Sequence, residues 1–128
     1  MINRIPSIYL TKNYLIMTNP KYQVFRKRED GQFYFILNSA DGEIVLESDA
    51  HACKKACLEE ISSIRIIARF DSNFTRVNHG FLDFSFLLEA GNGEIIAKCE
   101  GYHDTSARED AIYAVKRDAV TAPVEDLS

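Results

Sequence analysis

The sequence predicts an α+β fold: a duplicated three-strand plus helix motif, forming a single antiparallel sheet with two helices on one face. Three observations carry this. Shifting the 128-residue chain on itself by 51 positions aligns residues 33–68 with 84–119 without a gap. Each copy holds a turn dipeptide between apolar runs, Asp41-Gly42 in the first and Asn92-Gly93 in the second. Each copy then ends in an apolar stripe of helical spacing.

The shifted copies are identical at nine of 36 positions, among them Phe33/Phe84, Phe35/Phe86, Leu37/Leu88, Gly42/Gly93, Glu43/Glu94, Ile44/Ile95 and Ile61/Ile112. These are alternating apolar sites, a turn glycine and a helix stripe, the positions that determine a fold, so the match indicates an internal duplication. Residues 17–72 form repeat 1 and residues 73–128 repeat 2. One repeat alone buries too little surface to stand by itself; two sharing a sheet make one compact domain.

The elements follow in order. Residues 1–16 lack a continuous apolar core and a small-residue cleavage site, so they are not a signal peptide. They are expected to be an upstream extension outside the core, with translation starting naturally at Met17. Tyr22–Arg28 is aromatic and β-branched, hence a strand, and Asp30-Gly31 turns it into a second strand, Phe33–Ser39. Asp41-Gly42 then makes a two-residue hairpin into Glu43–Ser48, placing Ala40 opposite Glu43, Leu37 opposite Leu46 and Phe35 opposite Ser48. In that register Phe33, Phe35, Leu37, Ile44 and Leu46 share the core face, with Phe84, Phe86, Leu88, Ile95, Ala97 and Cys99 as their counterparts. Tyr34, Ile36, Val45, Leu87 and Ile96 fall on the other face. Cys53, Cys57, Ile61, Ile64 and Ala68 form the first helix stripe. Repeat 2 starts near Phe74, turns around His79-Gly80, and ends in the stripe Ala107, Ala111, Ile112, Val115 and Ala119. Asp104, Thr105 or Ser106 supplies its N-cap, and Pro123 marks a stop past its end.

The runs "DGQFYFIL", "ADGEIVLESD" and "ISSIRIIA", with "FSFLLEAGNGEIIAKCEGY" and "AIYAVKRDA" in the second copy, resemble the YegP-like family of uncharacterised bacterial domains. The resemblance spans about residues 22–127. It implies three-strand, one-helix motifs in a single antiparallel sheet, with an extra strand after each helix that the copies can exchange. Asp71–Val77 and Val124–Leu127 are the candidates for that strand. The resemblance implies no catalytic residues.

Composition narrows the function. Apolar residues make up 46% and charged residues 27%, which fits a globular core. The net charge of −4 and the single basic run Arg26-Lys27-Arg28 argue against a nucleic-acid partner, because phosphate neutralisation needs a basic stripe. The three cysteines are too few and odd in number for a disulfide framework and suit a reducing, cytoplasmic location. No stretch approaches the ~18–20 apolar residues of a membrane helix, so no membrane partner is expected.

Candidate chemistry is thin. His51, Cys53 and Cys57 lie close in sequence, but both cysteines fall on the apolar stripe and no second pair exists to complete a zinc site. No metal and no cofactor is therefore expected. Cys99, with His79 or His103 as base, is the one nucleophile to weigh, and its core-facing position makes it inert. Gly91 and Gly93 sit between antiparallel strands rather than opening a helix, so they are not a dinucleotide loop. Glu43 and Glu94 are polar residues starting strands rather than an acid–base pair. What remains is a surface: Tyr34, Ile36, Val45, Leu87 and Ile96 as an interaction patch for a protein partner, on a monomer that is its own pseudo-dimer. The protein is expected to be a non-catalytic interaction or accessory module. The alternative is a small-molecule binder or enzyme using the crevice between repeats near Cys99 and His103.

Overall fold

The chain alternates short strands and two helices in the duplicated order. The computed structural model describes residues 19–128; the expectation about residues 1–16 lies outside them. Strands β1 (Lys21–Arg26), β2 (Phe33–Asn38) and β3 (Ile44–Ser48) lead into α1 (Lys54–Ile67). After one 3-10 turn, Asp71–Asn73, come β4 (Phe74–Gly80), β5 (Asp83–Glu89), β6 (Ile95–Tyr102) and α2 (Thr105–Asp118). A last strand, β7 (Val124–Asp126), closes the chain. All seven lie in one sheet in the order β4-β5-β6-β3-β2-β1-β7. Every neighbouring pair is antiparallel except β1 and β7, which run parallel.

β3 and β6 pair at the centre, Glu47 beside Lys98 and Ser48 beside Ala97, so the two repeats meet about a pseudo-two-fold axis. Of the two expected exchanged strands, only the C-terminal one crosses: β7 of repeat 2 adds to β1 of repeat 1. The Asp71–Val77 stretch after α1 turns once and joins β5 at the opposite edge of the sheet, as the first strand of repeat 2.

Both helices cover one face. α1 packs on β2, and α2 packs on β3, β5 and β6. One continuous core joins Tyr22, Phe35, Leu37, Leu46, Ile61, Ile64, Phe86, Leu88, Ile112 and Val115, each 2% exposed or less. Asp104 caps α2, its Oδ1 accepting from Ala107 N at 2.7 Å. Cys53 stands just outside α1 as an N-cap without a side-chain bond and is exposed, so the α1 stripe begins at Cys57 rather than Cys53.

The hairpins differ from the expected two-residue turn. Ser39 N donates to Glu43 O and Gly42 N to Ser39 O, which makes Ala40–Asp41–Gly42 a three-residue loop closed by Gly42 at φ 83°. Repeat 2 repeats it with Ala90, Glu94 and Gly93 at φ 87°. A β-bulge follows each loop, between Leu37 and Asn38 and between Leu88 and Glu89 in the partner strand. The longer loop and the bulge shift register by one residue each, in opposite senses. Leu37 therefore does face Leu46, and Phe86 faces Cys99. Within the bulge, however, two consecutive residues point inward. Val45 is 2% and Ile96 7% exposed, while Ile44 and Ile95 stand 44% and 48% exposed. Val45 and Ile96 are thus core residues, the reverse of the expected assignment. The β4–β5 turn sits at Phe81-Leu82 rather than at His79-Gly80, with Gly80 facing Asp83.

Candidate functional site

The face of the sheet turned away from both helices is set by alternation. Inward Tyr22, Val24, Phe35 and Leu37 leave Gln23, Phe25, Tyr34 and Ile36 facing out. One row of Cα partners crosses the sheet as Thr75, Leu87, Lys98, Glu47, Ile36 and Gln23. Of the five expected surface residues, Tyr34, Ile36 and Leu87 are on this face and partly buried. Val45 and Ile96 are not, for the reason given above. The row also separates Ile36 from Leu87 by Glu47 and Lys98, so the apolar residues form two islands rather than one patch.

The larger island contains a residue the sequence reading omitted. Phe25 stacks beside Tyr34, ring centroids 6.0 Å apart and planes 18° apart. Period-two alternation from Val24 was the signal that places it there. Lys27 Nζ lies 4.0 Å from the Tyr34 ring centroid, a cation–π contact. The Tyr34 hydroxyl donates to Asp30 Oδ2, and Gln32 N donates to Asp30 Oδ1 at 2.9 Å. The phenol's hydrogen bond holds the Asp30 carboxyl below its usual range, and the same bond pushes Tyr34 up. A recess of about 320 Å³ opens beside these rings, lined by Phe25, Lys27, Tyr34, Ile36, Glu47 and Lys98 among others. Lys98 is partly buried, and the side chains of Lys98 and Glu47 make no ion pair or hydrogen bond with a described residue.

A crevice between the repeats opens on the helix side. It holds about 350 Å³ and is lined by Ser39, Asp41 and Glu43 of repeat 1 with Tyr102, Asp110 and Ala111 of repeat 2. Its origin is visible by comparing copies. His51 and Tyr102 occupy one repeat position, each beside its phenylalanine, at 6.1 Å from Phe35 and 6.3 Å from Phe86. In repeat 1, Glu60 reaches His51 Nε2 at 2.9 Å; in repeat 2 the same helix position is Ala111, and the space stays open. Burial raises the Glu60 carboxyl, and His51 opposes that rise.

Neither Cys99 nor His103 lines this crevice; Cys99 is 5% exposed and reaches it only through Tyr102. The Tyr102 hydroxyl donates to its Sγ at 3.0 Å, and the thiol donates to Ile44 O at 3.6 Å. Burial raises its pKa, outweighing the Tyr102 hydrogen bond. His103 is exposed at the mouth of α2, and His79 bonds Ser85 Oγ at 2.9 Å. Neither histidine is hydrogen-bonded to Cys99, so no thiolate–imidazole pair is assembled. Cys57 is fully buried and pushed up to about 11, chiefly by desolvation. Among the described residues no group of three or more His, Cys, Asp or Glu is placed to hold a metal ion, and no helix is long and apolar enough to cross a membrane.

Two strand–strand–strand–helix units sharing one sheet through β3 and β6 define a tandem-repeat α+β protein. The sequence pattern of DUF1508, a domain of unknown function, matches twice, over residues 29–71 and 83–126, and the chain belongs to that family. UPF0339 protein PA0329 of Pseudomonas aeruginosa is 34% identical over 105 residues, covering 80% of this chain and 94% of its own. UPF0339 protein YegP of Escherichia coli is 29% identical over 100 residues, covering 78% and 91%. The solution NMR structure of E. coli YegP, described as a protein of unknown function, superposes with TM-score 0.78 at 25% identity, covering 86% of this chain and 94% of that one. That of UPF0339 protein SO3888 from Shewanella oneidensis gives TM-score 0.79 at 24% identity, covering 86% and 92%. The YegP-like resemblance and its duplicated fold are thereby shown.

Proposed function

We propose that the chain is a non-catalytic interaction module of the cytoplasm, binding protein through the helix-free sheet face and using no metal, cofactor, nucleic acid or membrane. One observation carries this reading: the Phe25–Tyr34 ring pair, Ile36 and Leu87 stand partly exposed on a face over which neither helix packs. Two partly exposed apolar islands on one sheet face, with the Phe25–Tyr34 pair in the larger, offer a partner anchoring points. The buried, raised Cys99 thiol supports the absence of nucleophilic chemistry.

The test is a double substitution, Tyr34→Ser with Leu87→Ser, used as bait beside the wild type with circular dichroism to check folding. Loss of specific partners from a properly folded variant supports the reading. Unchanged partners with unchanged folding overturn it. The rival, a small-molecule binder or enzyme at the repeat junction, is favoured by the crevice lined by Tyr102, whose hydroxyl bonds Cys99. Thiol titration separates the two: a fast-reacting, low-pKa Cys99 belongs to the rival, and a silent one to the interaction module.

A further inference from the structure

The centre of the helix-free face carries a charge pattern that identifies a partner. Lys98 and Glu47 are the same position in the two repeats, 51 residues apart, and sit side by side across the pseudo-two-fold axis. Leu87 and Ile36, also equivalent, flank them, so the row runs apolar, positive, negative, apolar. Duplication alone would repeat a charge; here it is inverted. Lys98 and Glu47 form no ion pair with each other within 4.0 Å, nor with any other described residue. Two opposite charges side by side on this face, unjoined among the described residues, present a complementary pair to a second surface.

We infer that this face docks a second copy of the chain, sheet against sheet, about a two-fold axis parallel to the central strands. Rotation about that axis lays Lys98 over Glu47 of the second copy and Leu87 over its Ile36, and the reciprocal contacts form by symmetry. A two-fold axis perpendicular to the strands but still in the plane of the sheet would set Lys98 against Lys98 and Glu47 against Glu47. The charges therefore select one docking geometry and reject the other. The size is adequate. Seven strands give a face about 30 Å across and ~20 Å along the strands, roughly 600 Å² per copy, approaching the ~800 Å² per partner of a standard stable interface. The interface differs from the β3–β6 junction, which the duplication already supplies within one chain.

This inference rests on the helix-free face being the working surface and names its partner. The test uses purified full-length protein in analytical ultracentrifugation at low salt. Wild type is expected to pass from monomer to dimer with concentration. Lys98→Glu and Glu47→Lys, each alone, are expected to weaken dimerisation about tenfold or more through paired repulsions. Mixing the two single variants is expected to restore dimers, because every central contact then joins opposite charges. The double variant Lys98→Glu with Glu47→Lys is expected to dimerise like wild type. A wild type that stays monomeric, single variants that dimerise as wild type does, or a mixture that stays monomeric overturns the dimer. None of those results bears on partner capture by the Tyr34→Ser, Leu87→Ser bait, so a failed dimer and a failed interaction surface are told apart.

Discussion

The first strands of the two repeats, β1 and β4, start from the same plan and finish differently. Tyr22 faces Leu37 in repeat 1 as Phe74 faces Leu88 in repeat 2. Two residues on, β1 carries Val24, fully buried, and β4 carries Arg76. The difference follows from what lies beyond each strand. β1 is covered by β7, with Tyr22 N donating to Pro123 O and Leu127 N to Val24 O, both at 2.8 Å. β4 is the sheet's edge, and there Arg76 bridges Asp71 at 3.0 Å and Glu109 at 2.9 Å. A charge facing the core side of an edge strand discourages further strand pairing. Repeat 1 has its edge closed by a strand, and repeat 2 has its edge blunted by a charge.

The largest expected effect tests whether the two copies share one core. Phe35→Ala and Phe86→Ala remove the same ring from each repeat, and both rings are fully buried. Each is expected to cost about 3–5 kcal/mol in chemical denaturation, with a single transition. Two transitions, or a cost confined to one copy, would divide the core in two.

Next comes the tie across repeats. The Tyr22 hydroxyl donates to Ala119 O at 2.6 Å, fixing the end of α2 to β1, and burial keeps this phenol protonated far above its usual range. Tyr22→Phe is expected to cost about 1–2 kcal/mol, because a buried carbonyl loses its donor. No measurable change would remove that tie from the account.

Hairpin tips give a smaller effect of opposite sign. Gly42 and Gly93 accommodate positive φ freely, whereas Leu82 holds φ 55° at the β4–β5 tip beside an almost fully exposed Phe81. Leu82→Gly is expected to stabilise the protein by about 0.5–1 kcal/mol, strain relief exceeding the entropy added to the unfolded chain. A lower melting temperature would show that Leu82 is not strained.

The weakest effect is electrostatic. Hydrogen bonds from Arg76 and Lys116 lower Asp71 from 3.8 to about 2. A carboxyl depressed on folding adds stability above its unfolded value, and that stability is lost as pH falls through the folded one. Acid titration of stability between 3.8 and about 2 should therefore be shallower in Arg76→Ala than in wild type. Equal slopes would place the acid response elsewhere.

Most of this architecture is legible in the residues. The 51-residue shift gives the duplication, and alternation gives Tyr34, Ile36 and Leu87 their face. Val45 and Ile96 escaped because a single-period rule cannot represent a bulge. The signal was present in the three-residue apolar runs Ile44-Val45-Leu46 and Ile95-Ile96-Ala97, too dense for strict alternation. Phe25 is legible by the same alternation, one residue from Val24 and so on the face opposite to it. The unequal edges were not legible: Val24 and Arg76 look alike as strand residues until the sheet order shows which of them has a neighbour. The crevice depends likewise on Glu60 and Ala111 occupying equivalent positions, which matters only once His51 and Tyr102 are placed in space.

Backbone amide exchange by NMR tests the unequal edges most directly. Tyr22 and Leu127 donate across the β1–β7 pair. Alternation along β4 turns the Arg76 and Asn78 amides toward its open side. Slow exchange at Tyr22 and Leu127 with fast exchange at Arg76 and Asn78 is the expected result. Equal protection at all four amides would mean that the edge of repeat 2 is covered as fully as that of repeat 1, and would contradict the account.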